Sequence, residues 1–288
     1  MTMTMKLQMA QDRSIKRRVD RMQPGIDIKP IGIVRVSILD PVEMPLTGHP
    51  SVVRVFPGYK DALLRLEEHS HYWVLTWFDQ ARRDVLKTIP RRINPNLPEF
   101  GVFGLRSPGR PNPVGLSLVR LEKVEGSTLY VTGLDAVDGT PVIDIKPYFE
   151  NDIVFSARTP HMHPARREIL QEILFKQAMA YHQEECSDLH LAVRMTMLAE
   201  ETFGHISAPD LMVTVNGSAC LADTLQGLTR ARLANPPRFK FQPAETLRRS
   251  TWFKDGRTLC VTSRCRLWPD DFWYAEDNEI FDISLENG

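Results

Sequence analysis

The sequence predicts two domains of different construction: an N-terminal all-β domain, a barrel or a sandwich with one short helix, and a C-terminal α+β domain. Three observations carry this. The chain has 288 residues, enough for two cores of ordinary size. From about Ile28 to Ala157, short runs of β-branched and aromatic residues alternate with Gly, Pro, Asn and Asp. After "SARTPHMHP" the apolar residues recur at helical spacing instead. The first domain is therefore set at residues 28–158 and the second at 164–288.

In chain order, residues 1–27 are basic in their later half and poor in apolar residues, and read as a disordered leader with a nucleic-acid arm as the alternative. Strands are expected at "IGIVRV", "SVVRVF", "YWVLTWF", "GVFGL", "GLSLVRL", "TLYVTGLDAV" and "PVIDIKPY". "YKDALLRLEEH" is the one helix among them, with Ala62, Leu63 and Leu66 as its apolar stripe. In the second domain, Ile169, Leu170, Ile173, Leu174 and Ala178 mark a first helix, and "DLHLAVRMTMLAEETFG" a second that Gly204 would cap. A strand at "DLMVTVNG", a helical stretch near "LADTLQGLTRARL" and a hairpin turned by Asp255-Gly256 follow.

Composition excludes some classes. Lysine and arginine total 36 against 36 acidic residues, which argues against a polyanion-coating protein while leaving room for local asymmetry. No apolar run has the length of a membrane span, so no membrane partner is expected. Four cysteines without a secretory signal suggest reduced thiols and a cytoplasmic location. A GxGxxG turn between strand and helix is absent, against a Rossmann dinucleotide site.

The connection "LRSPGRPNPVG" concentrates special residues. Ser107-Pro108, Arg110-Pro111 and Asn112-Pro113 make it stiff, because each proline fixes its own backbone and restricts the residue before it. A stiff loop presents Arg106 or Arg110 to a ligand with less ordering cost. The alternative is a rigid crossover whose arginines pair with surface acids.

"GVFGLRSPGRPNPVGLS", followed by "LDAVDGTPVIDIKPY" and preceded by "HSHYWVLTWF", resembles the TrmO/TsaA-type methyltransferases over about Ile28–Tyr148. The resemblance implies a small β-barrel methyltransferase domain, usually a homodimer, that binds S-adenosyl-L-methionine outside the Rossmann scheme. It implies N6-methylation of threonylcarbamoyladenosine in tRNA. Carried over by motif, the cofactor-binding residues are Asp79, Gln80, Arg106, Leu116, Leu134, Asp135, Ala136, Val137 and Asp138. Arg106 would pair with the methionine carboxylate and Leu116 would wall the adenine. Two departures are visible. The longer bacterial members have a Pro-Arg-Gln-like segment where this chain reads "LDPVEMPLTGHP", and Gly109 stands before the Arg-Pro-Asn-Pro run.

Methyl transfer to an acylated exocyclic amine calls for a base. Asp138 and Asp144 are the candidates, with Lys146 and Tyr148 orienting a polar acceptor; a same-face Asp144–Lys146 ion pair is the other reading. Between Arg82 and Arg110, Arg82, Arg83, Lys87, Arg91, Arg92, Arg106 and Arg110 face only Asp84 and Glu99, a charge balance suited to tRNA phosphates. Arg91, Arg92, Arg110 and Asn112 are the expected substrate contacts. His69 and His71 are expected to be structural rather than metal ligands, and Trp73 and Trp77 to be core.

In the second domain, "YHQEECSDLHLAVRMTMLA" and "VTVNGSACLADTLQGLT" resemble a degenerate FmdE-type domain over about Gln177–Arg266. Metal-binding members of that family imply His182, Cys186 and Cys220 as ligands for zinc or another transition metal, with buried, inert thiols as the alternative. His182 and Cys186, four apart, would share a helix face. Cys260 and Cys265 lie five apart in a strand and face opposite ways, against a shared site. Three functions stay open: a tRNA methyltransferase, a methyltransferase for a small-molecule acceptor or metal-binding metabolite, and a non-enzymatic cofactor- or metal-binding regulator.

Overall fold

The computed structural model describes residues 27–154, 157, 159–264 and 272–287. The expected leader, but for residue 27, and Cys265 lie outside these. The strands are β1 (Gly32–Arg35), β2 (His49–Val55), β3 (His71–Trp77), β4 (Lys87–Thr88), β5 (Phe100–Gly101), β6 (Val114–Glu125), β7 (Thr128–Leu134), β8 (Pro141–Pro147), β9 (Met212–Gly217), β10 (Phe239–Pro243), β11 (Arg249–Lys254), β12 (Arg257–Ser263) and β13 (Phe281–Asn287). The helices are α1 (Arg167–His182), α2 (Ser187–Phe203), α3 (Ala219–Thr229) and α4 (Asp277–Ile280). They fall into two compact units. One holds residues up to Glu43, Pro50–Gln80 and Val114–Pro147; the other holds Met44–His49, Ala81–Pro113 and Tyr148–Gly288.

The first unit is a closed barrel in the order β1-β2-β7-β6-β3-β8. Period-two alternation builds it: Val53 and Val55 on β2, Tyr72, Val74 and Thr76 on β3, and Ser117 and Val119 on β6 are buried while their neighbours are not. Closure removes the unpaired edges that an open sheet would expose. Gly126, at φ 63°, opens the two-residue turn between Glu125 and Thr128 that sets the β6–β7 register. At Gly115 no side chain fits: a Cβ there would lie 2.3 Å from Thr76 Oγ1 and 2.5 Å from Phe78 Cζ. Trp73 and Trp77, expected in the core, are only half-buried, because β3 turns Tyr72, Val74 and Thr76 inward and the tryptophans to the other face.

The expected helix at 59–69 is instead two short 3-10 segments, Pro57–Leu63 and Leu66–Glu68, broken by Arg65 at φ 63°. "GVFGL" is likewise no strand beyond Phe100–Gly101; Val102–Gly104 form a 3-10 turn. A short apolar run between glycines holds too few residues to fix its own period.

In the second unit, a five-stranded sheet runs β10-β9-β11-β12-β13, with β10 parallel to β9 and the other pairs antiparallel. Val213 and Val215, Ser250 and Trp252, and Leu259 and Val261 alternate onto its buried face. α2 is buried nearly all round, from Leu191 through Met197, so it is the central helix against which α1 and α3 pack. Trp252 is completely buried; burying a large apolar side chain contributes about 1.5–3 kcal/mol. Gly204 ends α2 at φ 75°, and Asp255-Gly256 turn the β11–β12 hairpin at φ 52° and 73°, both as the sequence predicts.

Arg194, 2% exposed on α2, fixes a second stretch of this unit. It donates to the carbonyls of Phe272 (2.9 Å) and Ala275 (2.8 Å) and to Asp277 Oδ1 (2.6 Å). Asp277 also receives a hydrogen bond from Arg167.

Candidate active site

On the barrel, Asp79 and Gln80 are exposed just past the end of β3. Leu116 points out of β6, 44% exposed. The stretch after β7 is different. Leu134 and Ala136 are buried in the barrel core, so only their backbone can meet a ligand. Asp135 is exposed, and its amide donates to Ser117 Oγ.

Asp138 accepts from Arg35 Nη1 at 3.1 Å and from the Val36 amide at 3.2 Å, which ties the β7–β8 connection to β1. Asp144 and Lys146 form an ion pair at 2.7 Å, the alternative that the alternation along β8 allowed. The pair is well exposed, so its Coulomb energy is mostly screened. Tyr148 belongs to the other unit.

In the second unit, the proline loop is braced by Arg110. Its Nε donates to the Ser107 carbonyl (2.8 Å), its Nη2 donates to those of Val102 (2.8 Å) and Leu105, and its amide donates to Arg82 O (3.0 Å). The expected substrate role of Arg110 meets this geometry: its guanidinium is turned inward onto the carbonyls of its own loop. Arg106 and Asn112 are exposed on the same loop. Arg106 has no ion-pair partner among the described residues.

The basic segment is partly neutralised. Arg82 makes a forked pair with Asp84 (3.1 and 2.7 Å), which raises the arginine and lowers the carboxyl from their ordinary ranges. Lys87 lies 3.8 Å from Glu99. Arg92 donates to the Met44 carbonyl, and Arg91 is exposed.

The sulfur-bearing trio does converge. Ligand atoms of His182, Cys186 and Cys220 all lie within 4.8 Å of one another. The reason is not a shared helix face. α1 ends at His182, Gln183 turns left-handed at φ 65°, and Cys186 stands at the N-cap of α2, while Cys220 is in the first turn of α3. Asp223 accepts from His182 Nδ1 at 2.7 Å, which directs the other ring nitrogen toward Cys186 Sγ at 3.5 Å. Burial, and then the neighbouring Cys186, push the Cys220 thiol up. His69 and His71 make no metal cluster among the described residues; His71 Nδ1 bonds Ser70 Oγ at 2.8 Å. A second cluster, His161, His163 and Glu200, is one that the sequence does not announce. "TPHMHP" reads only as a domain boundary, and Glu200 is one of several acids late in α2.

With this geometry in place, comparison with known proteins is decisive for the family. Residues 41–152 match the tRNA-methyltransferase O N-terminal domain. A probable S-adenosyl-L-methionine-binding protein of Methanothermobacter thermautotrophicus is 46% identical over 130 residues, 44% of this chain and 92% of that one. The chain belongs to the tRNA-methyltransferase O N-terminal domain family.

A probable S-adenosyl-L-methionine-binding protein of Archaeoglobus fulgidus is 34% identical over 221 residues, 73% of this chain. That alignment is long enough to run beyond the family domain, and the chain spans 60% of the length of that relative. The mouse tRNA (adenine(37)-N6)-methyltransferase is 46% identical over 94 residues, 33% of this chain and 22% of the mouse protein. Among the described residues, no helix is long and apolar enough to cross a membrane.

Proposed function

We propose that this protein is an S-adenosyl-L-methionine-dependent methyltransferase acting on tRNA, with N6 of a threonylcarbamoyl-modified adenosine as the acceptor. The observation that carries the reading is the family domain over 41–152, which includes the braced proline loop and its exposed Arg106. When bound, S-adenosyl-L-methionine would supply an activated methyl group to the amine, which gives up a proton, with S-adenosylhomocysteine as the leaving product. The residues suit such a ligand. Arg106 would take the methionine carboxylate, exposed Asp79, Gln80 and Asp135 would accept from the amino and ribose groups, and Leu116 offers an apolar contact. The backbone of Leu134, Ala136 and Val137 lies beside Asp135 as further hydrogen-bonding surface.

Alignment of the reactants can supply about 7–11 kcal/mol of the barrier, so positioning outweighs proton transfer. Asp144 is the preferred proton acceptor, with Lys146, paired to it at 2.7 Å, and Tyr148 orienting the acceptor. Asp138, already bound to Arg35 and Val36, acts as a positioning residue. Arg91, Arg92 and Asn112 would meet the nucleic acid, Arg92 after releasing the Met44 carbonyl. The family resemblance and the cysteine usage support a cytoplasmic homodimer.

Two measurements test this. Calorimetry should show micromolar-class binding of S-adenosyl-L-methionine, on the order of 8 kcal/mol. Nucleoside mass spectrometry of tRNA treated with the protein should show a methyl group on the modified adenosine. Cofactor binding without tRNA methylation would transfer the reading to a small-molecule acceptor.

A second reading has its own observation. The Asp223–His182 hydrogen bond and the two facing thiols fit a zinc-class ion, and we propose that residues 164–288 form an FmdE-like metal-binding module. Chain purified without chelator should carry metal that is lost in the Cys186→Ser, Cys220→Ser chain. Metal-free protein from both would identify the thiols as packing residues.

A further inference from the structure

A second cluster in the same unit involves neither sulfur nor the barrel. His161 and His163 stand in the short connection before α1, between Pro160 and Pro164, which limit its backbone freedom. Asn94 Nδ2 donates to the His163 carbonyl at 3.1 Å, and the Ala165 amide donates to Ile93 O at 2.9 Å. The connection is thus held on both sides of Pro164. Opposite it, near the end of α2, the Glu200 side chain is 10% exposed.

Both imidazoles converge on one oxygen of that carboxylate. His163 Nδ1 lies 3.3 Å and His161 Nε2 3.6 Å from Glu200 Oε1, and the three ligand atoms lie within 4.8 Å of one another. Ligand atoms around a tetrahedral ion with bonds of about 2.0–2.1 Å sit roughly 3.3 Å apart, so two of the three separations need almost no adjustment. The rings are near parallel, 21° between planes. His205 packs edge-on against His161, but its Nε2 is engaged with Ser207 at 2.9 Å. Lys254, the neighbouring cation, is turned to Asp210 (3.8 Å) and to the Phe203 carbonyl (3.4 Å).

A buried carboxylate facing two imidazoles and no arginine or lysine is the donor set of a three-ligand metal centre with an open position. We propose that His161, His163 and Glu200 bind a divalent transition metal of the zinc class, leaving a coordination position for water or an oxygen or nitrogen ligand. None of the three residues belongs to the sulfur-bearing trio or to the set proposed for methyl transfer.

The test uses the full chain carrying Cys186→Ser and Cys220→Ser, freed of metal with chelator and titrated with Co²⁺. About one equivalent should bind, the number one such site holds. Visible ligand-field absorption should appear without the near-ultraviolet charge-transfer band of a thiolate ligand. Adding Glu200→Gln, or separately His163→Ala at the more exposed ligand, should weaken binding at least ten-fold while the metal-free melting temperature stays close to its parent's. If Glu200→Gln fails to fold, His163→Ala carries the comparison. No Co²⁺ binding by the double-serine chain, or affinity untouched by both substitutions, would overturn the proposal and leave a hydrogen-bonded clasp. In the unsubstituted chain the thiolate band reports the other trio separately.

Discussion

Arg106 and Arg110, four residues apart in one loop, have opposite tasks. Arg110 spends its donors on the carbonyls of Val102, Leu105 and Ser107, whereas Arg106 stays exposed. Arg106→Ala should therefore weaken S-adenosyl-L-methionine binding about ten-fold or more, from the loss of roughly 1.5–3 kcal/mol, with the ligand-free melting temperature unchanged. Arg110→Ala should instead lower the melting temperature and open the loop to protease. Equal dissociation constants for wild type and Arg106→Ala would refute the carboxylate assignment. The motif resemblance gives Arg106 to the cofactor and Arg110 to the substrate, but sequence alone does not tell which guanidinium turns inward, because that depends on where the 3-10 turn at Val102–Gly104 puts its carbonyls. Arg194 is wholly illegible: its partners lie some eighty residues onward in a stretch without periodicity. Removing a buried ion-pair partner costs about 3–5 kcal/mol, so urea denaturation of Arg194→Ala should read a loss of that size. A loss below about 1 kcal/mol, the worth of a surface pair, would mean that Arg167 alone holds Asp277.

Among the elements, the long strands are legible because β-branched residues alternate in them, and α1 because its apolar stripe runs several turns. β10 and β13 are not. All but the first residue of each is exposed, so burial leaves little pattern to read in "FKFQP" and "FDISLEN". His182, Cys186 and Cys220 come together, but not along the single helix that the four-residue spacing suggests, since the backbone turns left-handed at Gln183. Spacing along a chain measures proximity only inside one regular element. The barrel offers a sharper test of element packing. Gly115 on β6 faces Thr76, whose Oγ1 is buried without a hydrogen-bond partner among the described residues. Gly115→Ala should destabilise the barrel by about 1–3 kcal/mol through overpacking. Gly58→Ala, with nothing within 4 Å of the added carbon, is the matched control. Equal melting temperatures for the two variants would show that Phe78 and Thr76 yield freely.

At the scale of the whole molecule, a zero net charge conceals the 82–110 segment, and tRNA binding is its test. If Arg91 and Arg92 meet phosphates, Arg91→Glu with Arg92→Glu should reduce tRNA affinity and flatten its dependence on salt, because every phosphate left unneutralised takes about 0.7–0.9 off the logarithmic slope. Cofactor affinity should not change. Salt-independent binding by the unsubstituted chain would count against a phosphate-tracking surface. The family is legible from its motifs, whereas the division of the chain is not, since hydrogen bonds such as that of Ala165 to Ile93 join stretches that no local pattern links. That division decides what a truncation would remove. The chain passes between its two units after residues 43, 49, 80, 113 and 147. A stop codon just past Pro147 would delete the partners of Ile93 and Asn94 while leaving residues 81–113 in the chain. Such a truncated chain should keep the barrel strands but lose two of the hydrogen bonds that hold residues 81–113, and limited proteolysis within that stretch would report the loss.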